Sequence, residues 1–360
     1  MDMPPAPTDP ALREQQTQAF VRAMKPRHAG RPVVAIVSLN EGTETTDFLL
    51  THAVLQRADV ADVKAVASRR GRVDLFPALQ VEVPHDFEGF DRVHPSGADY
   101  VIVPAMSNDA DPAVTAWVRR QAENGARIVG VCNGTLVVGS AGLLDGRRFA
   151  GHWSSRGKVL ERHPGSIHVP HQRYLVDRDV ATTTGITASI PVALALVEAM
   201  GGREKAAAVA AELGAISWSP EHDSAPFALT VRRGVRYLLN KAPFWPHEQW
   251  GVEVRDGMDD IALALTADAW SRTGRVSVHA ESASSDAVAL RSGIVLVAER
   301  PSHERQRLPI TATMKPLQQM DATLCRIQKR FGVSYREWVV LEMEYSGAPM
   351  SVDSGACRSS

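Results

Sequence analysis

Short apolar runs rich in β-branched residues alternate with helical patterns over roughly the first 215 residues of the chain. The run "RPVVAIVSLN" (residues 31–40) predicts a strand, and "TTDFLLTHAVLQRA" (residues 45–58) predicts the helix that follows it. The segments "DVKAVAS", "LQVEVP" and "ADYVIVPA" predict further strands, the last apolar enough to be buried on both faces. This alternation predicts a parallel sheet covered by helices on both faces.

The segment "DPAVTAWVRRQAENG" predicts a helix that carries both a start and a stop signal. Asp111 is the expected N-cap, Pro112 takes the first helical position, and Gly125 ends the helix. Residues 128–131 predict the next strand. Three later segments predict one more strand and two helices: "RDVATTTG", "ITASIPVALALVEAMGG" and "REKAAAVAAELG".

The length of 360 residues and an apolar content of 44% predict two hydrophobic cores. Composition along the chain predicts the following division: a solvated N-terminal arm with one short helix (1–30), a first α/β domain (31–215), a linker containing the helix "LTVRRGVRYLLN" (216–250), a smaller second α/β unit (251–345) and a frayed tail (346–360).

The pattern of the first domain recurs in the second unit. "WGVEVRDGMDDIALALTADAWSRTGRVSVHAES" followed by "VALRSGIVLVAE" repeats the order of strand, acidic turn, helix, strand and hairpin-like pair found from residue 33. Beyond residue 300 we expect one helix, "PLQQMDATLCRIQKRFG", one strand, "REWVVLEMEY", and no second cysteine elbow. Chance similarity of two strand-helix-strand segments remains an alternative. A true degenerate repeat would cover the active edge of the first domain or take the place of a dimer partner.

A formal net charge of -1 gives no long-range field that favours nucleic acid or an anionic membrane. No stretch reads as a signal peptide or a membrane anchor. Three scattered cysteines, Cys132, Cys325 and Cys357, form no CxxC pair and favour a reducing compartment, so a cytoplasmic location is expected. We therefore expect a small-molecule partner, and a homodimer remains open.

Cys132 lies between an apolar run and a glycine-rich run, in the order Gly130-Val131-Cys132-Asn133-Gly134. This G-x-C-x-G form predicts a sharp strand-to-helix turn that projects the thiol from the carboxyl edge of the sheet. Helix N-H groups near the turn would favour the thiolate, which is the reactive form of cysteine. A buried, inert cysteine is the alternative reading.

The segment "VGVCNGTLVVGSAGLLDGRRFAGHW", with "RYLVDRDVATTTGITASIPVALALVEAMGG" downstream, resembles the ThiJ/PfpI superfamily and especially the cysteine domains at the front of many AraC-type regulators. The resemblance covers about residues 31–213 and implies a flavodoxin-like sandwich with Cys132 at its elbow. Members of the family include isonitrile hydratases, glyoxalases or deglycases, peptidases, chaperones and sensing domains. The resemblance therefore implies a fold more firmly than an activity.

The family carries an acid at the end of its first strand, and "GTETTDFLLTHAVL" is similar to the isonitrile-hydratase form of that segment, with Asp47 at the acid. A desolvated carboxyl group beside the thiol could act as a general acid. Glu41 and Glu44 remain alternatives. His152 in "GRRFAGHW" falls where the family often has a histidine, and it would act as a base or bind substrate, or else fill the core beside Trp153.

Oxyanion donors are expected from the backbone N-H groups of Asn133 and Gly134.

Three departures from the family pattern imply a diverged pocket. Asn133 replaces the histidine, serine or threonine that often follows the cysteine, Ala105 and Met106 replace the glycines of a Pro-Gly-Gly oxyanion loop, and Ser189-Ile190-Pro191 replaces Gly-Ile-Asp.

Other patterns predict no metal, nucleotide or DNA site. His163, His168 and His171 lie in a proline-interrupted segment without a carboxylate spaced to complete a metal site, and no phosphate-binding glycine motif is present, so no cofactor is expected. "LCRIQKRFGVSYREW" resembles part of an AraC-type helix-turn-helix, but it lacks a second unit and a basic recognition surface.

Taken together, the sequence predicts a cysteine-dependent hydrolase or hydro-lyase that acts on a small electrophilic molecule such as an isonitrile, carbonyl or amide. The alternative is a non-catalytic ligand- or redox-sensing regulatory protein that uses oxidation of Cys132.

Overall fold

The computed structural model describes residues 9–228 and 247–345. The strands of the first half are β1 (Val33–Ser38), β2 (Thr43–Glu44), β3 (Asp62–Ala67), β4 (Gly71–Phe76), β5 (Gln80–Val83), β6 (His85–Asp86), β7 (Tyr100–Val103), β8 (Arg127–Gly130), β9 (Arg148–Phe149), β10 (Ile167–His168), β11 (Tyr174–Asp177) and β12 (Val180–Thr183). Its helices are α1 (Pro10–Ala23), α2 (Thr45–Ala58), α3 (Phe87–Val93), α4 (Pro112–Glu123), α5 (Gly134–Ser140), α6 (Arg156–Arg162), α7 (Ser189–Gly201) and α8 (Arg203–Leu213).

A seven-stranded sheet in the order β11-β12-β8-β7-β1-β3-β6 forms the centre of this half. Every neighbouring pair is parallel except β11 and β12, which are antiparallel. One face of the sheet packs against α2 and α7 through residues such as Phe48 and Leu194, and the other packs against α4 and α5 through Trp117 and Val138. The first half is therefore the expected flavodoxin-like sandwich.

Helix α4 shows how local sequence sets these boundaries. The Asp111 carboxylate accepts hydrogen bonds from the N-H groups of Ala113 and Val114, both at 3.0 Å, and Pro112 begins the helix. The residue after its C-cap, Gly125, adopts a φ of +97°, which a glycine reaches without strain. The predicted start and stop signals are confirmed.

The second half contains β13 (Glu248–Glu253), α9 (Asp260–Arg272), β14 (Val276–Glu281), β15 (Ala287–Ala289), β16 (Val295–Val297), β17 (Gln306–Arg307), α10 (Pro316–Phe331) and α11 (Val333–Met343). Its parallel sheet has the order β14-β13-β17, and α9 packs against both β14 and α10. Within the described ranges, no helix combines the length and apolar composition that crossing a bilayer requires.

The two halves repeat each other at a constant spacing of 215 residues. Strand β1 begins at 33 and β13 at 248, the N-caps of α2 and α9 are Glu44 and Asp259, and both helices carry an arginine in the last turn, at 57 and 272. The hairpin that follows repeats a hydrogen bond as well, from Leu75 N to Leu79 O and from Leu290 N to Ile294 O. A residue-by-residue match of this kind goes beyond a shared element order.

The repeats face each other across a pseudo-two-fold axis. Strands β5 and β16 pair antiparallel with Val81 opposite Leu296, which are themselves equivalent residues, and they join both hairpins into one five-stranded sheet. Helices α2 and α9 pack together beneath it. Equivalent residues also meet each other in an isologous contact between two copies of one chain.

Two sequence predictions about elements require correction. "REWVVLEMEY" was expected to be a strand, but it lies in α11, where Tyr335, Trp338 and Val339 are buried at helical spacing. Its β-branched and aromatic composition is typical of strands, and packing in the core overrides that preference. The N-terminal arm does contain the expected short helix, α1, but it is not solvated throughout, because Phe20 and Val21 are buried. The linker helix expected in "LTVRRGVRYLLN" and the tail at 346–360 lie outside the described residues.

Candidate functional site

Cys132 occupies the predicted elbow between β8 and α5. Its backbone has a φ of +54°, a left-handed conformation that costs a non-glycine residue about 1–3 kcal/mol. The turn is fixed by the Cys132 N-H, which donates to Thr183 Oγ1 at 3.0 Å, and by Gly134 N-H, which donates to Val131 O at 2.7 Å. Strain of this kind is typical of residues whose side-chain position is functional.

Gly134 allows the elbow to approach the neighbouring strand. A Cβ atom at this position would lie 1.9 Å from the carbonyl oxygen of Val103. Because backbone atoms at that distance cannot yield, only glycine permits α5 to begin so close to the end of β7. The Gly134 N-H, one of the two expected oxyanion donors, already donates to Val131 O.

Cys132 is a free cysteine, and the residue is 3% exposed. Burial raises the pKa of the thiol well above its ordinary value, and the nearby acids Asp47 and Glu44 raise it further, while the backbone N-H of Asn133 opposes them. The sequence suggested that N-H dipoles would favour the thiolate. Desolvation and the acidic neighbours outweigh that effect, so the resting site holds a neutral thiol.

Asp47 is the ionisable group with the largest electrostatic effect on Cys132. It lies in the first turn of α2, fully buried, and its Oδ2 accepts a hydrogen bond from Ala105 N-H at 3.1 Å. Burial raises the pKa of Asp47 to about 8, against the lowering effects of the Ala105 N-H and the Arg272 charge. Asp47 is therefore a carboxylic acid at neutral pH, which is the state that a proton donor needs.

The two alternative acids are clearly distinguished by their positions. Glu41 is exposed and pairs with Arg69 at the surface. Glu44 is buried as the N-cap of α2, where its Oε2 accepts the Asp47 N-H at 2.6 Å. Burial, with the charges of Asp268 and Asp47, raises the pKa of Glu44 well above its ordinary value.

Sequence reasoning missed the residues that the second half contributes to this site. Arg272 at the end of α9 donates to Glu44 Oε1 at 2.6 Å, although the two residues are 228 positions apart. Asp268, on the same helix, lies 3.1 Å from Thr46 Oγ1, which is also 2.9 Å from Glu44 Oε2. The sequence signal that bears on them is the repeat, which by itself does not say which residues of the second half reach the first.

Glu344, which follows α11, reaches the site from the second half as well. Its carboxylate accepts hydrogen bonds from Trp153 N-H at 3.2 Å and from Gly185 N-H, and its own charge raises the pKa of Cys132. Burial raises the pKa of Glu344 to about 7, against the effect of those two N-H groups. The residue adopts a φ of +47° and is 4% exposed.

His152 does not present a free nitrogen to Cys132. Its Nε2 lies 3.0 Å from the carbonyl oxygen of Glu342, and its Nδ1 lies 2.6 Å from Ser154 Oγ. Because a carbonyl can only accept, Nε2 carries the hydrogen and Nδ1 accepts from the serine hydroxyl. Burial lowers the pKa of His152 to about 3, so the ring is neutral and holds the end of α11 in place.

The altered loop after β7 also lies at the site. Ala105 and Met106 are buried, Ala105 O accepts the Glu44 N-H at 2.8 Å, and Met106 forms an isolated bridge with Thr43. This loop therefore holds the acidic turn in place through both of its backbone groups. Ser189, from the altered Ser-Ile-Pro segment, lies 3.4 Å from Asp47 Oδ1. In the described ranges, no three potential ligands are grouped around a common metal position.

Comparison with known proteins places this geometry in a family. Residues 33–199 match the DJ-1/PfpI family. The HTH-type transcriptional regulator CdhR of Pseudomonas aeruginosa is 32% identical over 124 residues, which are 34% of this chain and 37% of that protein. Isonitrile hydratase of Pseudomonas putida is 35% identical over 103 residues, which are 29% of this chain and 44% of that enzyme.

The matches span less than half the length of these two relatives. A solved ThiJ/PfpI family protein from Pseudomonas syringae shares 20% identity, with a TM-score of 0.49 over 68% of this chain and 94% of that one. The family match coincides with the sandwich, the elbow and the acidic turn. Residues 33–199 of this chain are therefore a DJ-1/PfpI family domain.

Proposed function

We propose that the chain is a cysteine-dependent hydratase or hydrolase that acts on a small molecule with an electrophilic carbon. The observation that supports it most is the pairing of a strained, buried Cys132 thiol with a carboxyl group, Asp47, whose pKa is raised to about 8. A neutral thiol and a neutral acid in a dry site can add together across an unsaturated carbon without a free thiolate.

An isonitrile illustrates the balance of such a reaction. Cys132 Sγ bonds to the isonitrile carbon while Asp47 gives its proton to the same carbon, and the thiol proton passes to the Asp47 carboxylate. The product is a thioimidate, in which the S-H bond has been replaced by S-C and C-H bonds. Water then adds to that carbon, the S-C bond breaks, and one water proton ends on nitrogen and the other on sulfur. The sum is an N-substituted formamide and a free thiol.

Other groups at the elbow fit a polar substrate. Among the described residues, Asn133 Oδ1 and Thr135 Oγ1 are buried without a hydrogen-bond partner. Since buried polar atoms are nearly always paired in native proteins, these two next to the nucleophile are suited to a substrate N-H or an attacking water. The Asn133 N-H would stabilise negative charge that develops beside Sγ. In this proposal His152 positions α11 and takes no proton.

The first experiment is alkylation of native protein across a pH series, with Cys132 resolved from other cysteines by mass spectrometry. The alkylation rate is expected to rise only above the ordinary thiol range of about pH 8.5. Asp47→Asn should move the profile to lower pH, because it removes the largest acidic contribution to the Cys132 pKa. Reaction only after unfolding would identify Cys132 as a core residue and end the proposal.

A substrate test then separates chemistry from binding. A simple alkyl isonitrile is incubated with wild type, Cys132→Ser and Asp47→Asn, and formamide is measured by mass spectrometry. A reactive dicarbonyl and a small amide are run in parallel. Turnover that both substitutions abolish would establish the activity. Failure with all three substrate classes, despite native reactivity of Cys132, would favour the second candidate.

That second candidate is a ligand- or redox-sensing protein. It is favoured by similarity to a transcriptional regulator over part of the chain. Hydrogen peroxide would convert the thiol to a sulfenic acid and water. Mass spectrometry after peroxide treatment, in wild type and Cys132→Ser, would show whether oxidation reaches this residue.

A further inference from the structure

We infer that Arg272, which the second half of the chain supplies, is a positioning residue for the Cys132 site. The inference rests on the proposed function in one respect only, that Cys132 and Asp47 form the reactive pair. Arg272 lies where the two repeats and helix α11 meet. It contacts Glu44 and Glu342, which are close in sequence to Asp47 and Glu344, two acids that raise the pKa of the thiol.

The guanidinium of Arg272 contacts three carboxylates, one at the N-cap of α2, one on its own helix α9 and one near the end of α11. Its Nη2 donates to Glu44 Oε1 at 2.6 Å, its Nε pairs with Asp268, and its Nη1 donates to Glu342 Oε2 at 3.2 Å. The side chain is 13% exposed, and those of Glu44 and Asp268 are 3% and 0% exposed. A planar guanidinium can hold such a set because its donors point in fixed directions.

Each of two contacts leads onward to the reactive pair. Glu44, held by Arg272, accepts the Asp47 N-H through its other oxygen and so fixes the turn that carries the acid. Glu342, also held by Arg272, accepts the His152 ring N-H through its backbone carbonyl. Glu344 follows two residues later, and its charge raises the pKa of Cys132. Loss of the guanidinium would loosen both sides of the site at once.

The charges around Arg272 also support a role for this residue at the Cys132 site. The titratable groups that face this region are Glu44 and Asp47 from α2, Asp268 and Arg272 from α9, Glu342 and Glu344 from the end of α11, and Cys132, His152 and Arg156 from the first domain. Burial alone would lower the pKa of Arg272, but the charges of Asp268, Glu44 and Glu342 raise it. Arg272 therefore stays charged and lowers the pKa of Asp47.

The repeat provides a matched control. Arg57 occupies the equivalent position of α2, and it pairs with Asp259 at 2.9 Å and Asp260 at 3.0 Å. Asp259 is the equivalent of Glu44. Because a helix rises 1.5 Å per residue, this ion pair lies about 20 Å along the helix pair from Arg272. It has similar chemistry and burial, but it does not adjoin the thiol.

The experiment compares Arg272→Gln, Arg272→Lys, Arg57→Gln and Asp268→Asn with wild type in the full chain. The first readout is the pH profile of Cys132 alkylation. The second is the titration of the Asp47 carboxyl carbon by ¹³C NMR, assigned by its loss in Asp47→Asn, which does not depend on thiol reactivity. Thermal unfolding is recorded for every variant to separate positioning from stability.

Arg272→Gln is expected to raise the Asp47 midpoint by about one pH unit, because it removes a positive charge that lowers the Asp47 pKa. The alkylation profile of Cys132 should change with it, because Asp47 is the acid with the largest effect on the thiol pKa. Arg272→Lys should restore part of the shift, because it keeps the charge but not the three-way geometry. Asp268→Asn should shift the Asp47 midpoint in the opposite direction, since it removes a negative charge that raises the Asp47 pKa. Arg57→Gln should lower thermal stability and leave both readouts unchanged.

The inference is overturned if Arg272→Gln and Arg57→Gln lower stability alike and neither moves the Asp47 titration. If Arg272→Gln does not fold, the sign of the Asp268→Asn shift decides, and no shift would also overturn it. A wild-type Cys132 that never reacts in the native protein would remove the proposed function, while a selective shift of Asp47 would still support Arg272 as the residue that positions it.

Discussion

Helices α2 and α9 are equivalent elements of the two repeats, but they carry different buried acidic residues. Both begin with an acidic N-cap, carry an arginine in the last turn, and pair with each other's opposite ends. Yet α2 has a buried acid at 47 where α9 has Ala262, and α9 has a buried acid at 268 where α2 has Ala53. Both acids face the same end of the helix pair.

Because of this difference in acidic residues, the two ends of the α2–α9 helix pair are not equivalent although the fold repeats. At the end near Cys132, four carboxyl groups, Glu44, Asp47, Asp268 and Glu342, gather around Arg272. At the other end Arg57 meets Asp259 and Asp260. Similar local sequence gives an ordinary ion pair at one end and a proton-holding cluster at the other.

The largest expected effect tests whether the two repeats are one folding unit. Leu296→Ala should lower the free energy of unfolding by about 2–5 kcal/mol, because Leu296 is fully buried opposite Val81. Hydrogen exchange should also accelerate in β4 and β5 of the other repeat. Leu308→Ala, a buried leucine outside that strand pair, is the control. Equal exchange in β5 for both variants would show that the repeats unfold independently.

The second prediction concerns the acid that only α2 carries. Asp47 has a pKa of about 8 when folded and about 3.9 when unfolded, so its contribution favours folding fully below about pH 4 and is lost as pH rises toward 8. Asp47→Asn removes that loss. Its stability relative to wild type should therefore increase by up to about 1.4 kcal/mol per pH unit over this range.

Urea unfolding at a series of pH values measures the effect of Asp47→Asn. Asp59→Asn, at the exposed C-cap of the same helix, is the control, because the Arg31 partner lowers rather than raises the pKa of Asp59. If the difference in the free energy of unfolding between Asp47→Asn and wild type stays constant with pH, Asp47 is ionised in the folded protein. The acid that only α2 carries would then not serve as a proton donor.

The third prediction tests the contribution of the second half through Glu344. Glu344→Gln should lower the Cys132 pKa and speed its alkylation a few-fold at mildly alkaline pH, because the Glu344 charge raises that pKa. Alkylation kinetics give the shift, and Glu253→Gln, an exposed acid of the same half, should behave like wild type. Slower alkylation would indicate that Glu344 supports the reactive geometry more than it restrains the thiol.

The smallest effect is expected at His152. Since its pKa is lowered to about 3 and both ring nitrogens are engaged, His152→Gln should leave the shape of the alkylation profile unchanged between about pH 5 and pH 8. A change in overall rate without a change in midpoint fits a positioning role. Loss of an inflection near pH 6.5 would restore the histidine as a base.

Local features of the fold could be predicted from the sequence because their causes are local. The caps of α4 and the elbow at Cys132 depend on residues within a few positions of one another. The choice among Glu41, Glu44 and Asp47 needed burial, which a single sequence does not contain. The strand expected in "REWVVLEMEY" was wrong because its composition suits either structure and only packing decides.

The contributions of Arg272 and Glu344 could not be predicted for a different reason. They reach the first domain from 228 and 191 positions away along the chain, through a contact that depends on the two-fold arrangement. Charged residues near a helix end, such as Arg272, are usually solvated, so nothing in the local pattern marks one that is buried among three acids. The resemblance covered only the first domain and so did not indicate them.

The constant spacing of the repeats has an evolutionary consequence. In a symmetric homodimer, every substitution appears twice, so a change that adapts one site also alters its twin. Here the partner is encoded separately and joined by peptide bonds, at a fixed stoichiometry that no dilution can change. Selection can therefore change Asp268 or Arg272 without touching Ala53 or Arg57, and one copy can specialise as permanent support for the chemistry of the other.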